Sequence, residues 1–445
     1  MAFIVPRYEH VVFMCESRLC ICRIDSDSKI PDTCFVDCPK PIKSSSRTDS
    51  KVQDPEGSEK KRAFTVKQEK SKIVCGTFSP CGKYFAVADD NKQLIVWQIG
   101  GDHKWNLFNT RYLVRKAVHL VFSPQSDDIL VADRTGDVYK FSLSNPLHEG
   151  ILVLGHLSIL LDMVITPDGR FIITCDRDEK IRVTSYPNAY NIHTYCLGHT
   201  EFVTSLAILP SHTQFLVSAS GDKTLRLWRY IDGEEVFQLD YTDGISHLLL
   251  SDKNNDQQSV DGDDKNRHEG VVRQLQSDSG EKPGSVVRSI QCLKHSTGDQ
   301  IIALLDGIPG VAVYQVNVEV LTESISCQFT QLITCTAEPW DCCIDDNNFL
   351  WLLVPQEGQT VRIFESKGKQ IQEVTKESQP RYFHITEIMN KQWEFFEAAS
   401  SVRTNYQFLY KQWYDNMEEY KRKKEYRLLQ KGQQEDKQCK MIKTK

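Results

Sequence analysis

The sequence runs to 445 residues, 40 % hydrophobic and 26 % charged, with 54 Lys/Arg against 60 Asp/Glu for a net charge of −6. That balance excludes a collagen-like or wholly disordered chain and provides no global basic field for nucleic acid. The charge is divided, however: residues 421–445 hold ten Lys/Arg against three acids, a local +7 beside −13 on residues 1–420. The N-terminus, MAFIVPRYEH, has too short an apolar run for a secretory leader. Fifteen cysteines are scattered along the chain, with Cys20–Cys22, Cys34–Cys38 and Cys342–Cys343 as close pairs and no C-x-x-C. Scattered thiols fit a reducing compartment, and the Cys34–Cys38 spacing lacks the nearby second pair that zinc requires. The longest apolar stretch, residues 151–165, is broken by Gly155, His156 and Asp162, so no membrane span is expected.

In chain order, the segments HVVFMCE and LCICRID near the N-terminus read as strands, and residues 40–72 as a charged loop. Beyond them a repeat sets in. VADDNKQLIVW, VADRTGDVYKF, TCDRDEKIRVT and SASGDKTLRLW end at Trp97, Phe141, Thr184 and Trp228, spaced by 44, 43 and 44 residues. Pro80, Pro124, Pro167 and Pro210 repeat independently at 44, 43 and 43. Between the markers lie short alternating runs such as FIIT and KIRV, joined by turns rich in Gly, Asp and Pro. Four short strands per unit of about 43 residues is the arithmetic of a propeller blade, which buries its faces only by stacking on its neighbours.

The unit GHTEFVTSLAILPSHTQFLVSASGDKTLRLW (198–228) resembles a WD40 repeat. In such repeats a His, a hydroxyl, an Asp and a Trp form one hydrogen-bonded set, and the matching residues here are His199, Ser218, Asp222 and Trp228. A buried imidazole and a buried indole N–H both need partners, which a hydroxyl and a fixed carboxylate supply. The preceding unit matches with His156, Thr174 and Asp178, but Thr184 replaces the Trp, so its set is one member shorter.

Downstream, VAVYQV with Tyr314 and VRIFES with Phe364 read as closing strands of two further blades. Residues 251–284 are polar, carry eight acids and read as a disordered insertion. Six closing strands plus the N-terminal pair give an all-β, seven-bladed propeller over 1–384, the first blade being completed by a strand from elsewhere in the chain. Residues 385–445 lose the alternation and read as an aromatic docking segment followed by a basic helical tail. In that tail Lys421, Arg422, Lys423, Lys424 and Arg427 can follow RNA phosphates without reading bases. A solvated helix face and a nuclear import signal are the competing readings.

The sequence carries no G-x-G-x-x-G, P-loop or G-x-S-x-G, and a propeller without such a site is expected to be a binding platform. The densest charge lies at Asp176, Arg177, Asp178, Glu179, Lys180 and Arg182. Alternating signs suit an ion-paired interface. Arg226 holds the same place in the next repeat, so an ordinary strand arginine at 182 is the other reading. An acid/base or metal role for Asp176, Asp178 and Glu179 is set aside, because Asp178 belongs to the hydrogen-bonded set.

Residues 131–139, 155–186 and 196–203, above all DRDEKIRV after the T-P-D-G turn, resemble one branch of the WD40 repeats: the non-catalytic subunit of tRNA (guanine-N7)-methyltransferase. The resemblance covers residues 75–230, about a third of the chain. It implies a scaffold that performs no chemistry and holds no cofactor. The scaffold forms a heterodimer with a catalytic subunit that binds S-adenosylmethionine, and the two share the tRNA whose variable-loop guanine is methylated. Arg182 and Lys180 are then the candidates for ion pairs with the partner, supported by Glu179, Arg177 and Asp176, with Glu201 and Phe202 in the neighbouring loop. A nuclear location follows, with the cytoplasm as a second compartment. The alternative is a substrate receptor of a cullin-type ubiquitin ligase. Against it, Trp228 is followed by Arg229-Tyr230-Ile231, and Trp340-Asp341-Cys342-Cys343 lacks the W-D-x-R arginine.

Overall fold

The computed structural model describes residues 2–24, 33–39, 71–101, 103–242, 244–245, 285–295, 298–319, 324–367, 370–400, 406–411, 417 and 420–427. Seven four-stranded antiparallel sheets follow one another in chain order. Blade 1 comprises β1 (Ala2–Arg7), β2 (His10–Cys15), β3 (Arg18–Arg23) and β4 (Thr33–Asp37). Blade 2 comprises β5 (Ile73–Phe78), β6 (Tyr84–Asp89), β7 (Gln93–Ile99) and β8 (Trp105–Tyr112). Blade 3 comprises β9 (Ala117–Phe122), β10 (Asp128–Asp133), β11 (Asp137–Ser142) and β12 (Ile151–Gly155). Blade 4 comprises β13 (Leu160–Ile165), β14 (Phe171–Asp176), β15 (Ile181–Ser185) and β16 (Ile192–Cys196). Blade 5 comprises β17 (Val203–Ile208), β18 (Phe215–Ser220), β19 (Thr224–Arg229) and β20 (Glu234–Asp240). Blade 6 comprises β21 (Val287–His295), β22 (Gly298–Leu305), β23 (Gly310–Glu319) and β24 (Ser324–Thr334). Blade 7 comprises β25 (Asp341–Ile344), β26 (Leu350–Leu353), β27 (Val361–Lys367) and β28 (Gln370–Glu373).

The architecture is the seven-bladed propeller expected from the repeat. One expectation is corrected: blade 1 borrows no strand. Thr33–Asp37 pairs with β3 in the register Arg18↔Asp37, so the first 37 residues complete their own sheet. The segments 40–70 and 251–284 lie outside the described residues.

The burial pattern explains the sequence pattern. Phe171–Asp176 and Phe215–Ser220 are buried at every position, because a middle strand has a neighbouring blade against each face. Such strands read as continuous apolar runs, whereas outer strands such as Ile192–Cys196 stay largely exposed. The turn joining β13 to β14 shows the local chemistry. Thr166 Oγ1 accepts from the Phe171 amide at 3.1 Å, Asp168 accepts from the Arg170 amide at 3.0 Å, and Gly169 takes φ +69°. A left-handed residue is cheap there only as glycine.

First strands neighbour one another around a closed ring, β1–β5–β9–β13–β17–β21–β25 and back to β1. Their polar groups join blade to blade. Asp162 accepts from Ser205 Oγ at 3.1 Å and the Leu206 amide at 2.8 Å, and Thr204 Oγ1 donates to Val287 O at 2.6 Å. Arg288 donates to Trp340 O at 2.9 Å, and the Ile4 amide donates to Asp341 at 3.0 Å.

The seam between blades 7 and 1 carries an extra layer. Helix α1 (Pro380–Asn390) and the short α2 (Trp393–Phe396) bury Tyr382, Ile385, Met389, Phe395 and Phe396 against both blades. Trp393 stacks on Trp340 at 6.3 Å, and Phe396 meets Phe13 edge-on at 6.0 Å. Helices thus cover the junction that strand exchange was expected to tie. Residues 1–405 form one compact unit, and 406–445 form a second. In the second, residues 420–427 are helical and exposed throughout, including Lys421, Arg422, Lys423, Lys424 and Arg427. No described helix is long and apolar enough to cross a membrane.

Candidate partner-binding surface

Blade 5 holds the complete hydrogen-bonded set. Trp228 Nε1 donates to Ser218 Oγ at 2.8 Å, the Ser218 hydroxyl donates to His199 Nε2 at 2.7 Å, and His199 Nδ1 donates to Asp222 at 2.8 Å. The chain of donors fixes the tautomer. Burial lowers the pKa of His199, partly offset by Asp222. Burial alone would raise the Asp222 carboxyl, but His199, Thr224 and the Thr200 amide hold it well below the usual carboxylate range.

Blade 4 keeps the histidine and the hydroxyl but changes the carboxylate. His156 Nε2 meets Thr174 Oγ1 at 2.8 Å, as expected. Its Nδ1, however, meets Asp176 at 2.9 Å, so Asp176 fills the role that alignment assigned to Asp178. The reason is local geometry. Asp176 ends the fully buried β14 and also accepts from the amides of Asp178 at 2.9 Å and Lys180 at 3.1 Å. At the corresponding place blade 5 has Ser220, whose hydroxyl accepts from the Asp222 amide at 3.1 Å, leaving the carboxylate to come from the turn itself. The set is one member shorter, as the missing tryptophan predicted, and the Thr184 hydroxyl is buried without a partner.

Two candidate contact residues are moved inward by these facts. Asp176 is 2 % exposed and engaged by its own turn. Phe202 is fully buried, its ring lying where a Cβ on Gly221 would come within 2.6 Å. Neither is presented to a partner. Lys180 is exposed, while Arg177, Glu179 and Glu201 are half-buried at the same end of the blades.

The two equivalent arginines differ sharply. Arg226 is held by Glu235 at 2.6 Å and Asp222 at 3.5 Å. Arg182 donates one Nη to Gly155 O at 3.0 Å, its Nε is buried without a partner, and it has no carboxylate within ion-pair distance among the described residues. Burial lowers its pKa, opposed by Tyr195 and Asp176, yet a guanidinium remains charged. A largely buried cation without a counter-charge is costly, and an incoming acid would relieve that cost.

Around Arg182 lies apolar surface that the reading of charges missed. Leu157 is fully exposed, Ile151 and Leu152 are more than half exposed, and Tyr195, the cross-strand partner of Arg182, is 37 % exposed beside exposed Ile192 and Leu197. A signal was present in ILVLG (151–155): an outer strand has one face to bury, yet this one is apolar at four successive positions. No group of three or more metal-ligating His, Cys, Asp or Glu side chains occurs among the described residues. Trp340–Asp341 opens β25 rather than following a third strand, and Asp341 is occupied by the Ile4 amide, so the receptor-type W-D reading loses its motif.

Residues 32–151 and 144–357 match the family described as tRNA methyltransferase TRM82 WD40 domain. The chain is 36 % identical over 357 residues to the tRNA (guanine-N(7)-)-methyltransferase non-catalytic subunit wdr4 of Xenopus laevis, covering 80 % of each chain.

The chain belongs to the TRM82 WD40 family, the non-catalytic subunits of tRNA (guanine-N7)-methyltransferase.

The Homo sapiens WDR4 subunit is 30 % identical over 351 residues, 79 % of this chain and 76 % of the relative. The Drosophila mojavensis wuho subunit is 48 % identical over 166 residues, 37 % and 43 %. A chain of the crystal structure of the mitotic checkpoint complex superposes with a TM-score of 0.54 at 12 % identity, over 79 % of this chain and 86 % of that one, which is a likeness of fold. Membership of the TRM82 family implies a catalytic partner subunit.

Proposed function

We propose that this subunit forms a heterodimer with the catalytic methyltransferase subunit, docking it side-on at the junction of blades 3 and 4 and seating tRNA jointly with it. The observation that carries the proposal is the uncompensated Arg182 guanidinium, ringed by exposed Leu157, Tyr195 and Leu197, where the equivalent Arg226 is fully paired. Arg182 and Lys180 meet acids on the partner, Arg177, Glu179 and Glu201 flank them, and the apolar rim excludes water, which strengthens each pair. The exposed Lys421, Arg422, Lys423, Lys424 and Arg427 follow tRNA phosphates, so RNA affinity falls with salt. The methyl donor S-adenosylmethionine sits on the partner, which modifies the variable-loop guanine, and the complex works in the nucleus.

The test is co-purification. Arg182→Glu abolishes recovery of the catalytic subunit while the melting temperature of the isolated propeller stays within a few degrees of wild type. Survival of the mutant complex at moderate salt overturns the assigned surface.

A further inference from the structure

The cysteine pairs of the N-terminal blade are not used by the docking surface, and tertiary structure gives them a neighbourhood that their spacing did not suggest. Cys20 and Cys22, two residues apart on β3, point to one face and are almost completely buried. Their thiols are hydrogen-bonded to each other. From across the seam, α1 brings the Met389 thioether to 3.3 Å from Cys22 Sγ and 3.9 Å from Cys20 Sγ. The third strand also pairs with β4 in the register Ile21↔Cys34, which turns the exposed Cys34 thiol to the face of the sheet opposite the buried pair.

Three sulfurs from two elements thus converge on one point. A metal bound trigonally to sulfur at about 2.3 Å separates its ligands by about 4 Å, so the Cys20–Met389 edge already fits and the Cys22–Met389 edge must open from 3.3 Å by about 0.7 Å. The donor set of two thiols and one thioether, with no carboxylate or imidazole in it, is soft. It favours a monovalent soft ion over zinc or any hard divalent cation.

We propose that Cys20, Cys22 and Met389 form a buried copper(I) site that staples blade 1 to α1 and so pins the ring closure. Binding replaces two S–H bonds with two Cu–S bonds and releases two protons. The metal stays Cu(I) throughout, so no oxidant or reductant is consumed. Because binding releases protons, affinity rises with pH.

The experiment uses the full-length reduced chain titrated with Cu(I) in competition with bathocuproine disulfonate. The chain withdraws one equivalent of Cu(I), a thiolate-to-copper ultraviolet band appears, and the melting temperature rises. Cys20→Ser/Cys22→Ser loses this binding, Met389→Leu weakens it at least tenfold, and Cys34→Ser, on the opposite face of the sheet, leaves affinity and stoichiometry unchanged. Circular dichroism of the variants confirms that they remain folded. Withdrawal by the double variant equal to that of wild type, loss of all binding in Cys34→Ser alone, or stronger competition by Zn(II) overturns the site. Complex formation with the catalytic subunit is scored separately by co-purification, so failure here leaves the Arg182 surface untouched, and the reverse.

Discussion

Blades 4 and 5 share a four-stranded frame, a register shift between their first two strands and a buried histidine bonded to a hydroxyl and a carboxylate, yet they are finished differently. Blade 5 ends its network on Trp228 and closes Arg226 between two acids. Blade 4 ends on an orphan Thr184 hydroxyl and leaves Arg182 with the Gly155 carbonyl and Tyr195 as partners, and no carboxylate within ion-pair distance among the described residues. The same frame thus yields a saturated blade and an unsaturated one. The unsaturated blade also borders the exposed apolar strip. Incomplete internal pairing, rather than charge density as such, is what sets blade 4 apart from blade 5.

The comparison can be broken by substitution. The largest effect is expected at Trp228→Ala, which removes a fully buried indole and costs about 3–5 kcal/mol in thermal or urea unfolding. Thr184→Val in blade 4 removes an unpaired hydroxyl and stays within about 1 kcal/mol of wild type. An unchanged melting temperature for the tryptophan variant would detach it from the core. Next in size, Arg226→Leu strands Asp222 and Glu235 and costs about 3 kcal/mol, the low end for a buried pair because Glu235 is 31 % exposed. Its partner affinity stays near wild type. Arg182→Leu does the opposite, keeping stability and losing the complex, and parallel losses in both variants would erase the distinction.

Asp176→Asn removes the charge that serves His156 and two turn amides, at about 1–3 kcal/mol, whereas Asp178→Asn stays within about 0.5 kcal/mol. Equal effects would restore the aligned carboxylate to the network. The smallest effect is in pH. His199 and Asp222 both have folded pKa values below their ordinary 6.5 and 3.8, so the unfolded chain takes up protons first. The contribution of these two groups is therefore level above 6.5, declines as pH falls below it through His199, and declines again below 3.8 through Asp222, while Asp341, raised to about 6 by burial, acts in the opposite sense. Melting curves of wild type against His199→Gln isolate the sign, and a wild-type advantage that grows on mild acidification would contradict it.

The seven blades, the full set in blade 5 and the basic run at 421–427 were legible in the sequence. Each depends on residues near one another in the chain: a 43-residue period, a turn, a charge cluster. Other features were decided only by tertiary structure, each for a physical reason. Asp176 displaced Asp178 because the choice between carboxylates two residues apart rests on which of them lies at the end of a buried strand. Phe202 left the surface because Gly221, in the turn between β18 and β19, makes room for its ring. The borrowed strand became a pair of helices because the contact of Phe396 with Phe13 spans most of the chain, a separation at which local pattern carries no information. The convergence of Met389 on Cys20 and Cys22 has the same origin. Sequence fixes what a repeat can be, and long-range packing decides which of its groups are left for a partner.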